Sequence, residues 1–298
     1  MKRYSVLLVL LAALSACLAP SIKPPADKLG AIRTILVIPV EPPPLEVTPD
    51  LMESGIPATY WQSETTPIDL FYERKIYRHP GGVLIAGLVS HHDRAPETVL
   101  PRTPAASENT PGLEPTASLE ETWAPTLVLA REAVSQLTSG GLKAVSAGHY
   151  YRLPISPRDR ARDLTEWRSA IRQWYNQDAS PVDYRLHGPE RIDAVLEVGI
   201  GTYRIFETQM PLQVLVKLIN PATRQVIGRA GVEVFPVKGT AQTLLAHEAE
   251  KFKETVAETG AQLIRRGLGD LGLLSASRDA RSDGRNIKTA FTAGLPTP

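Results

Sequence analysis

The sequence contains one cysteine, Cys17, among 298 residues. An intrachain disulfide therefore cannot form, and the fold must be stabilised by a packed core. The sequence also lacks an excess of either sign of charge, since it contains 33 basic and 32 acidic residues and its net charge is +1. A near-neutral chain has no extended basic face, so we predict no nucleic-acid partner.

Long apolar runs are absent as well, because no segment reaches the roughly 20 apolar residues that a membrane-spanning helix needs. The most apolar stretch, residues 5–14, follows Lys2 and Arg3 and has the length of a signal-peptide core. The alternative is a buried N-terminal helix. A core helix would need neither the basic start nor the small residues and prolines that follow, so the pattern favours a signal peptide.

Four residues at the end of this stretch, Leu14-Ser15-Ala16-Cys17, resemble the lipobox of bacterial lipoproteins. The resemblance implies cleavage before Cys17, which would then carry a diacylglyceryl thioether and an N-acyl chain such as palmitate. Two or more acyl chains hold a protein firmly on a membrane, whereas one holds it marginally. Leu18 stands where an aspartate would resemble an inner-membrane retention signal. We therefore expect a periplasm-facing lipid anchor, in the outer membrane rather than the inner one.

The distribution of prolines and apolar residues divides the chain into segments. We expect a signal peptide at 1–16, and a lipidated N-terminus with a flexible tether at 17–30. A single periplasmic α/β domain is expected at 31–274. Within it, residues 91–121 lack an apolar period and are expected to form a low-order insertion, and 275–298 is expected to be a flexible tail.

Apolar periodicity predicts strands and helices within the domain. Strands are expected at 32–40, 83–89, 143–151, 192–206, 212–219 and 226–235. Helices are expected at 125–139, from 156 to about 177, and from 243 to about 268. This order predicts an α/β or α+β fold, in which a mixed sheet of about five to six strands packs with about three helices.

Part of this pattern is similar to the small α/β domain of outer-membrane accessory lipoproteins. The families are the curli-secretion lipoproteins and the lipoprotein activators of penicillin-binding proteins. The similarity is carried by the strand at 32–40, the helix-then-strand run at 127–147, and the strands at 193–198 and 212–219 with the turn that follows. It implies a binding or scaffolding domain without a catalytic centre, and an envelope protein as its partner.

Two motifs are candidates for a metal or cofactor site, and neither has the spacing that the chemistry needs. Adjacent histidines in His91-His92-Asp93 would point to opposite sides of an extended chain, and no second pair supports them. Gly199-Ile200-Gly201 begins like a dinucleotide fingerprint, but Arg204 takes the third glycine position and no helix follows. Glycines inside a strand more often mark a close backbone approach. We therefore predict no metal-binding and no cofactor-binding residues.

Catalytic motifs are lacking too, since neither Gly-x-Ser-x-Gly nor Ser-x-x-Lys occurs. The paired acids at 120–121 fit a helix start, and those at 248 and 250 fit a solvated helix face. Trp167 and Trp174 share one helix face with Leu164 and Ile171, which predicts core packing, with a ligand groove as the alternative. The sequence predicts no catalytic residue and favours a non-catalytic accessory lipoprotein. The alternatives are a lipid-anchored envelope hydrolase and a small-ligand-binding domain.

Overall fold

The computed structural model describes residues 18–48, 72–73, 83–86, 112–117, 123–156, 164–186, 191–206 and 208–274. The lipobox residues, His91, His92 and Asp93, and the expected tail at 275–298 lie outside these ranges. The helices of the described chain are α1 (Ala26–Ala31), α2 (Pro125–Ser139), α3 (Leu164–Asn176) and α4 (Ala241–Asp270). A short 3-10 helix occupies Tyr184–Leu186.

The strands are numbered in chain order: β1 (Thr34–Pro39), β2 (Leu45–Thr48), β3 (Tyr72–Glu73), β4 (Val83–Ala86), β5 (Gly112–Pro115), β6 (Lys143–Ser146), β7 (His149–Arg152), β8 (Ala194–Phe206), β9 (Leu212–Ile219) and β10 (Val226–Val234). Among the described residues, eight of them form one mixed sheet, and β5 pairs with β7 in a separate antiparallel ribbon.

The long strand β8 organises the main sheet. On one side it pairs antiparallel with β9, which pairs antiparallel with β10. On the other side it is parallel to β1 at its start and to β2 at its end. Between these two strands lie the prolines at 42–44, which have no N–H to donate, so pairing stops after Val40 and resumes at Leu45. Beyond this line, β6 pairs with β1, and β4 joins β2 to β3.

Side-chain alternation gives the sheet two faces with different coverings. We call the first the apolar face, because Leu196 and Val198 of β8 and their neighbours contact the apolar stripes of α2 and α4. We call the second the polar face, and it is covered by α3. On this face, buried charged residues lie among aliphatic and aromatic side chains, which include Leu215 and Trp167.

The helix boundaries follow from local chemistry. Pro125 occupies the first turn of α2, where its missing N–H leaves no partner unsatisfied, and Gly140 forms the C-cap. Thr240 caps α4, because its side-chain oxygen accepts a hydrogen bond from the Thr243 N–H at 3.3 Å. Just after α4, Gly272 adopts a φ of +74°, which a residue with a Cβ would resist.

The α/β class and the long helices are confirmed, and α2 and β9 have the expected bounds. The expected mixed sheet packed with helices is confirmed as well. Two short strands, β2 and β3, were not foreseen, and the expected strand at 143–151 is split into β6 and β7 by a turn.

One part of the expected low-order insertion at 91–121 is regular. Strand β5 pairs with β7, and its Glu114 accepts hydrogen bonds from Tyr150 Oη at 2.6 Å and from an Arg152 guanidinium nitrogen at 2.8 Å. Leu113 of the same strand also packs against the core of the polar face. Residues 91–111 and 118–121 lie outside the described ranges.

The expectation of a flexible tether at 17–30 is wrong for the part that the structure describes. Residues 18–24, which we call the N-terminal strap, pack against α3 and β10, and α1 follows them. The contacts are long-range ones that local composition does not reveal. In the described chain, no helix combines the length and the apolar character needed to cross a bilayer.

Candidate functional site

Three charged residues form a row across the middle of the polar face. Glu197 of β8, Lys217 of β9 and Arg229 of β10 stand side by side in the strand register. Their relative exposures are 0%, 0% and 2%, respectively. Charged side chains are almost never this buried unless they are paired. We call these three residues the charged row.

The row results from the alternation of side chains along each strand and from the register between the strands. In β8 and β9, the residues on either side of Glu197 and Lys217 turn to the apolar face, so the charged residue turns to the polar one. Pairing of Glu197 with Lys217, and of Lys217 with Arg229, then aligns the charges across three strands. Sequence reasoning missed the row. The available signal was a charged residue between apolar or small neighbours, which occurs in each of the three consecutive strands.

Helix α3 covers the charged row with two aromatic residues. Trp174 and Tyr175 lie over the adjacent row of the sheet, where two glycines flank Leu215. A Cβ at Gly199 would lie 2.7 Å from the Trp174 ring, and one at Gly231 would lie 3.0 Å from Leu215 and 3.5 Å from Tyr175 Oη. These glycines therefore make room for the aromatic rings.

Glu197 is the centre of a buried hydrogen-bond network. Its Oε2 accepts from Trp174 Nε1 at 2.7 Å and lies 3.2 Å from Lys217 Nζ. Its Oε1 accepts from Tyr184 Oη. Lys217 Nζ also donates to the Trp174 carbonyl at 2.8 Å and lies 5.0 Å from the ring centroid. Both carboxylate oxygens are thus occupied, and the buried ammonium has three neighbours that favour its charge.

Arg229 extends the network toward the surface. It donates to the Tyr175 carbonyl at 3.0 Å and to Asp178 Oδ1, and it lies 6.0 Å from the Tyr175 ring centroid. The Asp178 side chain is 85% exposed, so this ion pair joins a buried cation to a carboxylate at the surface.

Burial sets the direction of the pKa shifts in this network. Burial lowers the pKa of Lys217, and the neighbouring Glu197 carboxylate opposes that shift. Burial also raises the pKa of Tyr184 well above its ordinary value, and the negative charge of Glu197 raises it further. Burial likewise raises the pKa values of Tyr151 and Tyr175, which lie on the same face. The phenols of this face therefore stay protonated at neutral pH.

A hydrogen-bonded path connects Glu197 with an open depression in the surface. Ser180 Oγ, at the floor of the depression, donates to Tyr184 Oη at 3.1 Å, and Tyr184 donates to Glu197. The depression has a volume of about 390 Å³ and lies between the chain after α3 and the β9–β10 turn. Its lining residues are Gln177, Asp178, Ala179, Ser180, Pro181, Thr223, Arg224 and Gln225.

The N-terminal strap lies beside this depression. The Ala19 N–H donates to Asn176 Oδ1 at 2.7 Å, and Leu18 and Ala19 pack against the core of the polar face. Ile22 forms two backbone hydrogen bonds with Arg229, at 2.8 and 2.9 Å. Pro24 then fits against Gly228, where an added Cβ would lie 2.5 Å from the proline ring. The strap thereby covers part of the exposed edge of β10.

The residues singled out in the sequence have different outcomes. Trp167 and Trp174 are both buried, so the core interpretation is confirmed. Gly199 is a close approach to Trp174, and β8 continues past Gly201 as a strand, which confirms the structural interpretation of that motif. Glu250 is exposed on α4.

Several of the other candidates fall outside the described chain. Cys17 and the rest of the lipobox, the histidine pair at 91–92, and the acids at 120–121 are among them. Within the described ranges, no group of three or more histidine, cysteine or acidic residues has a geometry that could hold a metal ion.

No protein-family model and no curated protein sequence matches this chain. Solved structures give weak similarities. One is the PelC dodecamer from Paraburkholderia phytofirmans, at 15% identity and a TM-score of 0.27, covering 49% of this chain and 74% of that one. Another is XCC0632 from Xanthomonas campestris, assigned to DUF330, at 12% identity and a TM-score of 0.31, covering 89% and 97%.

A third is lipoprotein GNA1162 from Neisseria meningitidis, at 10% identity and a TM-score of 0.25, covering 76% of this chain and 95% of that one. At these identities and TM-scores, the similarities assign no function to the chain.

Proposed function

We propose that this protein is a bacterial lipoprotein, anchored through lipid on Cys17, whose periplasmic domain has a non-catalytic accessory or scaffolding role in the cell envelope. The observation that carries the proposal is the lipobox-like run Leu14-Ser15-Ala16-Cys17 at the end of a signal-peptide-like segment. The N-terminal strap supports it, because its contacts lie after Cys17 and would remain after cleavage before that residue. Leu18 in place of an aspartate supports the outer membrane as the location.

The buried network supports a structural role for the charged row. Both oxygens of Glu197 accept hydrogen bonds within the domain, and Lys217 and Arg229 donate to helix carbonyls. A general acid or base must instead reach a proton on a bound substrate. The row therefore fastens α3 to the sheet.

An exposed apolar patch supports contact with a partner protein. Phe206, Phe235 and Val237 are 43%, 55% and 70% exposed, and all three lie at the end of the sheet where β8 and β10 finish. Backbone bridges join Gln209 to both Phe206 and Val237, so these segments are neighbours. Clustered exposed apolar side chains are typical of protein-binding surfaces. The partner we propose is another envelope protein.

The lipid anchor is tested by mass spectrometry of the mature N-terminus. We expect the original chain to begin at Cys17 and to carry the mass of the acyl groups, and Cys17→Ser to remain unprocessed. Ser15→Ala keeps a small residue in the lipobox and serves as the matched control, which should be processed normally. An unmodified Cys17 thiol in the membrane fraction would refute the anchor.

A small-ligand-binding function is the second candidate, and the depression beside α3 is the observation that favours it. Its lining is polar and includes Arg224, so it suits a small polar or anionic molecule better than an apolar one. A compound that raises the melting temperature of the protein, and loses this effect in Arg224→Ala, would favour this function over scaffolding.

A further inference from the structure

We propose that the open part of the β10 edge, at residues 231–235, binds an extended segment of a partner protein as an added antiparallel strand. The segment carries a basic side chain opposite Glu233, and apolar side chains beside it contact the apolar patch. The inference rests on the proposed accessory function and deepens it, because it states how the partner protein is held.

The outer edge of β10 has backbone polar groups that no strand uses. Arg229 exchanges two backbone hydrogen bonds with Ile22 of the strap, at 2.8 and 2.9 Å, so its N–H and C=O groups point away from β9. Since peptide groups alternate along a strand, Gly231 and Glu233 present theirs on the same outer side. Among the described residues, neither forms a backbone hydrogen bond to another segment on that side. Such a row of donors and acceptors is a template for a further strand.

The strap stops pairing with this edge for a chemical reason. Continuation of the antiparallel register beyond Ile22 would place Pro20 opposite Gly231, and a proline has no N–H to donate. The strap turns instead to the end of α3, where the Ala19 N–H donates to Asn176 Oδ1. Gly231 is left exposed. An added strand would therefore continue, along the same edge, the pairing that the strap begins.

The apolar patch lies at the far end of this open edge. Phe235 follows directly after β10 and is 55% exposed. Val237 and Phe206 are its neighbours, because both form backbone bridges with Gln209. A segment paired along 231–235 thus ends beside exposed aromatic and aliphatic side chains. In strand addition, backbone hydrogen bonds supply affinity and side-chain contacts of this kind supply specificity.

Glu233 indicates the charge of the partner segment. Its side chain is half-buried, and within the described ranges it forms no ion pair. Opposite charges on directly facing strand positions stabilise a sheet, whereas like charges destabilise it. A second copy of this chain is a poor occupant, because the symmetric register that pairs all of 231–235 places Glu233 opposite itself. A lysine or arginine of a different protein fits this position.

The backbone part of the proposal is tested with the full-length protein in detergent and a fluorescently labelled peptide, Thr-Val-Val-Lys-Val-Thr. We expect binding by fluorescence anisotropy, and slower hydrogen exchange at the Gly231 and Glu233 amides. With the lysine opposite Glu233, the second, fourth and sixth peptide residues donate to the edge. N-methylation of these three should weaken binding by about tenfold or more. N-methylation of the third and fifth residues, which donate away from the edge, is the matched control.

The same measurements can overturn strand addition. It is wrong if the peptide leaves exchange at both amides unchanged. It is also wrong if the two N-methylated peptides bind equally well, because the hydrogen bonds to the edge would then contribute nothing.

The side-chain part is tested by reversing one charge, which leaves the backbone unaltered. Glu233→Lys should bind the lysine peptide several-fold more weakly than the original chain does, and should prefer a peptide with glutamate at the fourth position. Glu250→Lys, at an exposed position of α4, makes the same change in net charge and is the control. It should keep the original preference. An unchanged preference in Glu233→Lys would overturn the assignment of a basic partner segment.

Photo-crosslinking in cells separates this inference from the accessory function on which it rests. A photoreactive amino acid at Val237 reports a protein that lies on the apolar patch. Loss of its crosslinks in the Glu233→Lys background, but not in the Glu250→Lys background, would support strand addition. Crosslinks to an envelope protein that persist in both backgrounds would keep the accessory function and refute strand addition. A patch without crosslinks in any background would count against both.

Discussion

The two faces of the central sheet are built on the same three strands but are covered in different ways. On the apolar face, aliphatic residues of β8, β9 and β10 contact the stripes of α2 and α4. On the polar face, the same strands present Glu197, Lys217 and Arg229 to the shorter helix α3. The charged residues that these three strands bury lie on the polar face, and they need specific partners there.

This difference predicts different tolerance to change. Apolar contacts are non-directional, so the apolar face should accept substitutions that conserve volume. The polar face depends on individual donors and acceptors, and removing one member leaves another without its partner in a low-dielectric interior. The polar face should therefore determine the position of α3 and, through Arg229 and Tyr175, the position of the strap.

The largest expected effect is that of Trp174→Ala. The change removes a large core side chain, which costs about 3–5 kcal/mol, and it also deprives Glu197 of a hydrogen-bond donor. We expect the melting temperature to fall by roughly 10 °C. Phe235→Ala, at an exposed aromatic residue, is the control and should change stability by less than about 0.5 kcal/mol. A change of about a degree in Trp174→Ala would remove its core role.

Glu197→Ala should follow closely, at about 3–5 kcal/mol, because it leaves Lys217 buried without its counter-ion. Leu196→Ala is the matched control on the opposite face of the same strand and should cost about 2–5 kcal/mol. The two are separated by pH. In Glu197→Ala, the loss should shrink as pH rises, because Lys217 can release its proton, whereas the loss in Leu196→Ala should stay constant.

A double variant shows whether Glu197 and Lys217 act as a pair. Replacing Lys217 with methionine in the Glu197→Ala background removes the unpaired charge. The loss in the double variant should be smaller than the sum of the two single losses by about 1 kcal/mol or more. Additive losses, measured by chemical denaturation, would show that the charged row is not coupled.

The elements that could be predicted from the sequence are those whose signals are local. Helix α2 was bounded by Pro125 at its first turn and by Gly140 after its last residue. The turn between β9 and β10 was marked by Asn220-Pro221, and the Asn220 side chain accepts hydrogen bonds from the following backbone. The helical spacing of Trp167 and Trp174 identified the buried side of α3.

The features that could not be predicted depend on contacts between distant residues. The charge of Glu197 predicts no network by itself, because only the strand register places Lys217 and Arg229 beside it. The composition of the strap is that of a linker, and only its pairing with Arg229 and its fit against Gly228 fix it. Because register and edge pairing are set by the whole sheet, a local reading of the residues misses them.

A smaller effect is expected from a single methyl group on each face. In Gly199→Ala the new Cβ would meet the buried Trp174 ring at 2.7 Å, and the hydrogen bond to Glu197 keeps that ring from moving. We expect a loss of about 1–3 kcal/mol. In Gly260→Ala on α4 the new Cβ would lie 2.3 Å from Cδ2 of Leu129, so the end of this flexible side chain must shift, and the helix gains up to about 1 kcal/mol in propensity. This variant should be nearly neutral. A similar loss in both variants would contradict the greater rigidity of the polar face.

The smallest expected effect per group, and the last way to compare the faces, is alkaline destabilisation through buried tyrosines. Burial raises the pKa of Tyr184 on the polar face and of Tyr203 on the apolar face above 10. Above pH 10 the unfolded chain therefore loses phenolic protons that the folded chain retains, and the free energy of unfolding falls by about 1.4 kcal/mol per pH unit for each tyrosine. Lys217 acts in the opposite direction. Because its pKa is lowered in the folded chain, stability rises with pH until about 10.5, where the unfolded lysine also loses its proton.

Denaturation curves between pH 8 and 11 test this comparison. Tyr184→Phe and Tyr203→Phe should each reduce the alkaline loss of unfolding free energy by the contribution of about one tyrosine. Only Tyr184→Phe should also cost about 1 kcal/mol at neutral pH, since it alone loses a hydrogen bond to Glu197. An equal neutral-pH loss in both variants would show that the two faces hold their tyrosines in the same way.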